Sequence, residues 1–283
     1  MNAKEVPADT DLWKNRYELA GTYTLRAQNG ILCWAALGKS VTAGAGPYTH
    51  TITPTTDGSL LPSFCFQHER TGSATAWRTQ FRGCKVNNLT LLYDNTQATC
   101  LRMRVNWLAQ KTAKVAFSLT NDPILPATAN TGPFVNLTRT FAGVNIDGLV
   151  SLEISIDNGL YAEYAHTWDT GVYTGYWPQS FLEAPRKQYR VKFTYHPSTI
   201  ETTIWDELVV NESVTPNTSN AVFTWTRGAS DTIAVTCSDC KVIEHTIETP
   251  VVGEEQLDTV VLEPRAMSIV VVDSITGVGN YGE

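Results

Sequence analysis

The stretch Phe81-Arg82-Gly83-Cys84-Lys85-Val86-Asn87-Asn88-Leu89-Thr90-Leu91-Leu92-Tyr93 decides how the chain is read. Across residues 85–91, Val86, Leu89 and Leu91 are apolar, while Lys85, Asn87, Asn88 and Thr90 are polar. That is close to the period of two expected of a strand with one buried face. A polar bend follows at residues 94–97. A second alternating run over 101–107 then sets Arg102, Arg104 and Asn106 opposite its apolar residues. Two such runs joined by a short polar turn read as an antiparallel pair. On pattern alone this is the hairpin of any β-rich protein.

The wording of the stretch says more than its pattern. Gly83, Cys84, Lys85, Val86 and Asn87, followed by Leu89, resemble the recurrent strand of tail tube proteins from long-tailed, non-contractile (siphovirus-like) phages. Three blocks precede it in the order found in that family: Ala35-Ala36-Leu37-Gly38, then Gly44-Ala45-Gly46-Pro47-Tyr48-Thr49-His50-Thr51, then Leu61-Pro62-Ser63-Phe64. The resemblance covers about residues 31–110 and continues more loosely to about residue 275. It implies a mainly β fold, a β-sandwich or open barrel with one flanking α-helix (about 198–210), whose rings form a continuous β-lined channel. It also implies partners: copies of the chain itself in stacked rings, tail tip or baseplate, tape-measure and terminator proteins, and DNA in transient, non-specific passage. The implied location is the virion tail, with assembly in the host cytoplasm. The motif occurs clearly once, which favours six chains per ring over three.

Composition is consistent with this and excludes other classes. The chain has 283 residues, 42% hydrophobic and 10% aromatic, enough to bury a substantial core. A formal charge of −7 argues against a nucleic-acid grip, because phosphates are held by clustered Lys and Arg. Residues 1–10 carry Lys4, Glu5 and Asp9 without an apolar segment, so a cytoplasmic origin with no membrane partner is expected. The sequons at Asn88, Asn136, Asn211 and Asn217 then carry no glycan. Six cysteines are scattered, and reduced, mostly buried thiols are the expectation. Cys237-Ser-Asp-Cys240 has zinc or redox spacing, but it is a single pair where a structural zinc site needs four ligands. No metal or cofactor is expected.

The chain divides into an N-terminal arm (1–20), a β domain (21–273) with a loop or insertion near 110–148, and a Gly-rich C-terminal tail (274–283). Residues 31–37 form an apolar run of one or two helical turns ending at Gly38, a left-handed C-cap position. Residues 42–54 read as a hairpin or a long flexible loop, with Tyr48 exposed near its tip, and 64–68 as a strand. Residues 120–133, rich in Thr, Asn, Ala and Pro, read as linker or loop. Alternation returns over 149–160, ending in the Asn158-Gly159 turn signal, and over 186–195. Ser198-Thr199-Ile200-Glu201 is a capping-box sequence, Ser198 as N-cap and Glu201 at the third helical position, with Ile200, Ile204 and Leu208 as the docking stripe. Cys240-Lys241-Val242 echoes Cys84-Lys85-Val86; a repeated hairpin and coincidence both account for it.

Enzymatic motifs are missing: no phosphate-cradling Gly-Lys-Ser/Thr loop, no Gly-x-Ser-x-Gly elbow, and five histidines spread one to a segment. The chain therefore reads as a non-enzyme whose function lies in its surface. Trp13, Tyr17, Tyr48 and His50 are candidate inter-ring contacts. Residues 244–263 hold six acids (Glu244, Glu248, Glu254, Glu255, Asp258, Glu263) and no Lys or Arg. Glu244, Glu248, Glu254, Glu255 and Asp258 are candidates for a channel lining that repels phosphates within a Debye length, roughly 10 Å at 0.1 M salt; a solvated outer face accounts for them equally well. The Tyr/Trp density near Tyr173, Tyr176 and Trp177 supports an alternative class, a carbohydrate-binding or adhesive β-sandwich. Another tail ring, a completion or baseplate protein, is the third.

Overall fold

A computed structural model describes residues 19–55, 60–70, 77–96, 98–116, 132–164, 168–169, 172–173, 178, 180–183, 187–210, 219–228, 230–248 and 255–274. The first third runs β1 (Leu19–Arg26), α1 (Ile31–Leu37), β2 (Gly38–Ala43), β3 (Tyr48–Pro54), β4 (Phe64–Arg70), β5 (Trp77–Asp94), β6 (Ala98–Ala109) and β7 (Lys111–Ala116). Then come β8 (Asn136–Phe141), β9 (Val144–Asn145), β10 (Leu149–Asp157) and the short β11 (Tyr161–Glu163), β12 (Trp168–Asp169), β13 (Val172–Tyr173) and β14 (Ser180–Leu182). The last third is β15 (Gln188–Tyr195), α2 (Ile200–Trp205), a π-helical turn (Asp206–Val210), β16 (Ser219–Arg227), β17 (Asp231–Ile247) and β18 (Asp258–Asp273).

The fold is mainly β. A 14-stranded sheet runs β1-β6-β5-β10-β15-β18-β17-β16-β8-β9, with β2, β3, β4 and β7 attached beside that path. Among the described residues it does not close into a barrel, and every pairing is antiparallel. The loop or insertion expected near 110–148 contains β7, β8 and β9, which rejoin this sheet through β5 and β16.

Alternation sets the core. Val86, Leu89 and Leu91 of β5, Met103, Val105 and Trp107 of β6, and Leu152, Ile154 and Ile156 of β10 lie on one side and are buried. Val191, Phe193 and Tyr195 of β15 continue the layer into Val260 and Leu262 of β18. Val86 and Leu89 are three apart, which a regular strand would place on opposite faces. The register against β6 shifts between Val86 and Asn88, so a β-bulge at Asn87 absorbs the extra residue and returns both side chains to the core.

Both helical stretches expected from the sequence are present. α1 ends at Gly38, whose φ of 102° is left-handed and whose N–H donates to the Trp34 carbonyl. The second is shorter than expected, α-helical over six residues and π-helical from Asp206. Its capping box is not formed. Thr199, with helical φ and ψ, is the N-cap and makes no side-chain cap bond; the Ser198 hydroxyl points away to the Asp147 carbonyl at 3.4 Å. Glu201 is thus one position earlier than a capping box requires, and only its backbone N–H returns to Ser198, at 3.1 Å. The helix is held by burial of Ile200 and Ile204. Ser198→Ala is therefore expected to lower unfolding free energy by less than about 0.5 kcal/mol, against the ~1 kcal/mol of a working N-cap, as read by urea denaturation.

Candidate assembly site

The motif strand is the knot of the fold. Gly83 sits at φ 63°, a left-handed conformation that costs other residues about 1–2 kcal/mol. The turn there lets the buried Cys84 thiol donate to the Phe81 carbonyl at 3.1 Å. Burial pushes the Cys84 thiol up to about 11, so it stays neutral. Lys85 donates to Glu183 at 2.9 Å, and the same carboxylate oxygen accepts the Leu61 N–H at 2.8 Å. At the bulge, Asn87 accepts the Leu160 N–H on its side chain and the Asn158 N–H on its carbonyl.

Asn158 ties three elements at this point. Its side-chain amide donates to the carbonyls of Ala36 at 3.0 Å and Val86 at 2.9 Å, joining α1 to β5 at the end of β10. Its side-chain oxygen accepts Lys187 Nζ at 2.8 Å. Asn158 is 1% exposed, so all these bonds lie away from water. Sequence reading placed Asn158 at a strand end; the partners Glu183 and Lys187 carry no signal in the motif, because loops distant in sequence deliver them.

The echo at Cys240 has the same local geometry. Asp239 is left-handed at φ 53°, as Gly83 is, and the Cys240 thiol donates to the Cys237 carbonyl at 3.3 Å, three residues back. β17 then shows a register shift between Val242 and Glu244 against β18, as β5 does between Val86 and Asn88 against β6. Cys237 and Cys240 are free, buried thiols; burial pushes Cys240 up to about 11 and Cys237 well above its ordinary value. Among the described residues no group of three His, Cys, Asp or Glu side chains is placed to hold a metal.

The face opposite the core is open and charge-alternating. β6 presents Arg102 and Arg104, β10 Glu153 and Asp157, β15 Arg190 and Lys192, and the β17–β18 pair Glu244 and Glu263. Arg104 meets Glu153 at 3.3 Å and Arg190 meets Glu244 at 3.9 Å, all four side chains about half exposed. Glu153 also faces Lys192 in register, and Lys241 faces Glu263. Between the charges lie Ser151, Ser155, Thr194 and Thr259. Shallow concavities of this face are lined by Arg102, Glu153, Arg190 and Lys192 among others.

The acidic candidates separate. Glu244, Glu248 and Glu255 are exposed, while Glu254 lies outside the described residues. Asp258 is 0% exposed and points into the core side of β18, near His245 at 3.9 Å and next to Tyr195 in register; it cannot line a surface. Burial and then the Asp258 charge raise the Tyr195 phenol above its ordinary value. The contact candidates also divide. Trp13 and Tyr17 lie outside the described residues, and Tyr48 is half-buried rather than exposed. His50 is 0% exposed: Nδ1 bonds the Thr42 hydroxyl at 2.9 Å and Nε2 the Asp273 carboxylate at 3.1 Å. A hydroxyl–imidazole–carboxylate chain of this order has the form of a nucleophilic triad. Here it bolts the β2–β3 hairpin onto β18, with imidazole and carboxylate sealed from solvent. The aromatic density around Tyr176 and Trp177 lies outside the described residues; nearby, β12 pairs with β13. No protein-family model matches this chain, and no curated protein sequence matches it.

Replacing Asn158 by Ala strands two buried carbonyls, and chemical denaturation is expected to show a loss of about 3 kcal/mol. Asn158→Asp turns an oxygen towards those carbonyls and is expected to be at least as damaging. Lys187 supplies a pH test. Burial lowers its ammonium to about 8, the Glu183 charge opposing and the Lys85 charge assisting. The unfolded chain holds this proton up to about 10.4. Between those values the unfolded state binds more protons, so this group's contribution to stability rises with pH from about 8 to about 10.4 and is lost as pH falls through about 8. The stability difference between wild type and Lys187→Met, followed by urea melts across that window, is expected to shift in favour of wild type as pH increases.

Proposed function

We propose that the chain is the structural subunit of the tail tube of a long-tailed, non-contractile phage. Identical copies close into rings, and the stacked rings conduct viral DNA into the host. The observation that supports this reading is the run β1-β6-β5-β10-β15-β18-β17, with a filled core on one face and an open, charge-compensated face on the other. Its two margins, β1 and the last residues of β17, have no further strand among the described residues. A sheet left open at both margins offers its edges to strands of other chains, and closure into a ring removes them.

On this reading the open face lines the channel. The lining is then a mosaic and not the acidic wall that residues 244–263 suggested. Cations held beside carboxylates make weak phosphate partners, because strong binding comes from unpaired Lys and Arg that neutralise phosphates and release the counterions condensed on the DNA into solution. Carboxylates set among them keep a sliding duplex from settling. Such a surface neither traps DNA nor excludes it. The permanent contacts between copies would bury on the order of 2,000 Å² or more. The tail tip, tape-measure and terminator proteins are the partners this role requires.

Negative-stain microscopy of the purified full chain tests the proposal. Hollow filaments of uniform diameter are the expected outcome. Single rings that never stack would reassign the chain to a completion or baseplate ring, and single chains retained on a glycan column would reassign it to the carbohydrate-binding class.

A further inference from the structure

The registers of the sheet show that the chain contains one unit twice. Against β6, residues Gly21, Tyr23 and Leu25 of β1 pair with Trp107, Val105 and Met103. Against β18, residues Val191, Phe193 and Tyr195 of β15 pair with Leu262, Val260 and Asp258. β5 joins the same β6 residues through Val86, Leu89 and Leu91, and β17 joins the same β18 residues through Val242, His245 and Ile247. The strand before each also corresponds: Phe64 pairs with Cys84 and Phe66 with Phe81, as Ser219 pairs with Cys240 and Ala221 with Cys237, each with a register shift in between. Four residues separate β1 from α1, and four separate β15 from α2. Strand, helix, strand, bent strand and closing strand thus recur in order, with left-handed turn, thiol bond and both bulges in matching places. The β2–β3 hairpin is an addition to the first unit.

The two units differ at one margin. In the first, the outer margin of β5 over residues 88–94 is covered by β10, which passes directly to β15 and so joins unit one to unit two. In the second, the corresponding margin of β17 near His245 and Ile247 has no neighbour among the described residues. Among the described residues β1, which corresponds to β15, is paired with β6 alone. Both margins present exposed apolar side chains: Ile243 at 46% and Ile247 at 41% on β17, and Leu25 at 37% on β1. Apolar residues on an open strand margin are what a pairing contact uses and what a solvated margin avoids.

We propose that the β17 margin of one copy takes the β1 margin of a second copy, head to tail, so that the junction between the two units inside a chain is repeated between chains. Within the chain β10 lies between the corresponding margins, so the margins of two copies share one strand-wide place. A contact of this kind is heterologous, and it makes a ring where the rotation between copies closes. This closure rests on the tube reading for its size. Seven strands and one shared place, spaced about 4.8 Å apart and tilted about 40°, span about 50 Å of circumference per chain. Two chains leave about 32 Å between opposing backbones, which side chains narrow to about the width of a duplex; three leave about 48 Å. Three chains, carrying six units, make the smallest ring that clears DNA.

The test uses two single-margin variants of the full chain, Leu25→Lys and Ile247→Lys. Both residues are partly exposed, so native circular dichroism and a single cooperative melt are the folding control, a lower melting temperature being expected once assembly is lost; a variant that fails it is replaced by Thr24→Asp or Ile243→Lys on the same margin. Native mass spectrometry is expected to show three-chain rings or their stacks for wild type and single chains for each variant alone. A 1:1 mixture of the variants is expected to give a two-chain complex that grows no further, because one intact β17 margin meets one intact β1 margin. Variants that assemble as wild type does, a mixture that stays as single chains, or a wild type that remains a single chain at its highest soluble concentration would overturn the pairing. Six-chain wild-type rings would overturn the three-chain closure. Three-chain rings that never stack would leave the pairing standing and remove the tube, whereas tubes formed by both variants would do the reverse.

Discussion

Every backbone N–H and C=O of a buried strand needs a partner, and β5 meets that demand along 18 residues and on both margins. Its first part pairs with β4 on one side and β7 on the other; its second part pairs with β10 and β6. β4 and β7 flank residues within 77–84 of this strand, and β6 and β10 flank residues within 85–94. The left-handed turn at Gly83 and the bulge at Asn87 are where it changes direction, and the Asn158 amide pins that corner by donating to the Val86 carbonyl beside the bulge. α1, β10 and the Glu183 loop are all positioned from that corner.

How far this was legible in the sequence depends on the range of the force involved. Alternation is local, so the faces of β5, β6, β10 and β15 could be read directly, and Gly38 announced the end of α1. The three-residue step from Val86 to Leu89 was the visible trace of the bulge, because only an extra residue keeps both on one face. The misreadings share a cause. Asp258 and His50 are charged or polar residues on core-side positions, and polarity alone suggests exposure. Their burial depends on strands far away in the chain: Asp273 lies 223 residues from His50, and His245 reaches Asp258 only across the β17–β18 pair. The capping box failed because Ser198 found the Asp147 carbonyl, which no local pattern reveals.

The second unit was nearly silent in sequence for a related reason. A register is a property of backbones, and many side chains tolerate it so long as the inward ones are apolar and of fitting size. What the two units share in residues is Cys-Lys-Val beside a left-handed position, Gly83 in one and Asp239 in the other. These are the places where geometry restricts side-chain choice: Asp is among the few non-glycine residues that enter the left-handed region readily, and a small buried thiol can reach back three residues. Elsewhere the units have diverged, so that Trp107 in one corresponds to Leu262 in the other and Leu89 to His245.

Fusion of two units has a consequence for assembly. The junction made by β10 forms within one chain, where its strands are held near each other and no translational freedom of a second molecule is lost. The head-to-tail junction proposed between copies would lack that advantage and depend on the margins themselves, a role suited to the exposed Ile243 and Ile247 on β17 and Leu25 on β1. A ring of six units built from fused pairs needs half as many encounters as one built from single units, and every encounter uses the same pair of margins. The weakest link is then a single kind of contact, repeated at each boundary between chains, while the covalent junctions alternate with it as fixed corners. On the proposed closure, a shell with that alternation would open only at chain boundaries, and its rigidity would be set by β10 within each chain and by the β1 and β17 margins between chains.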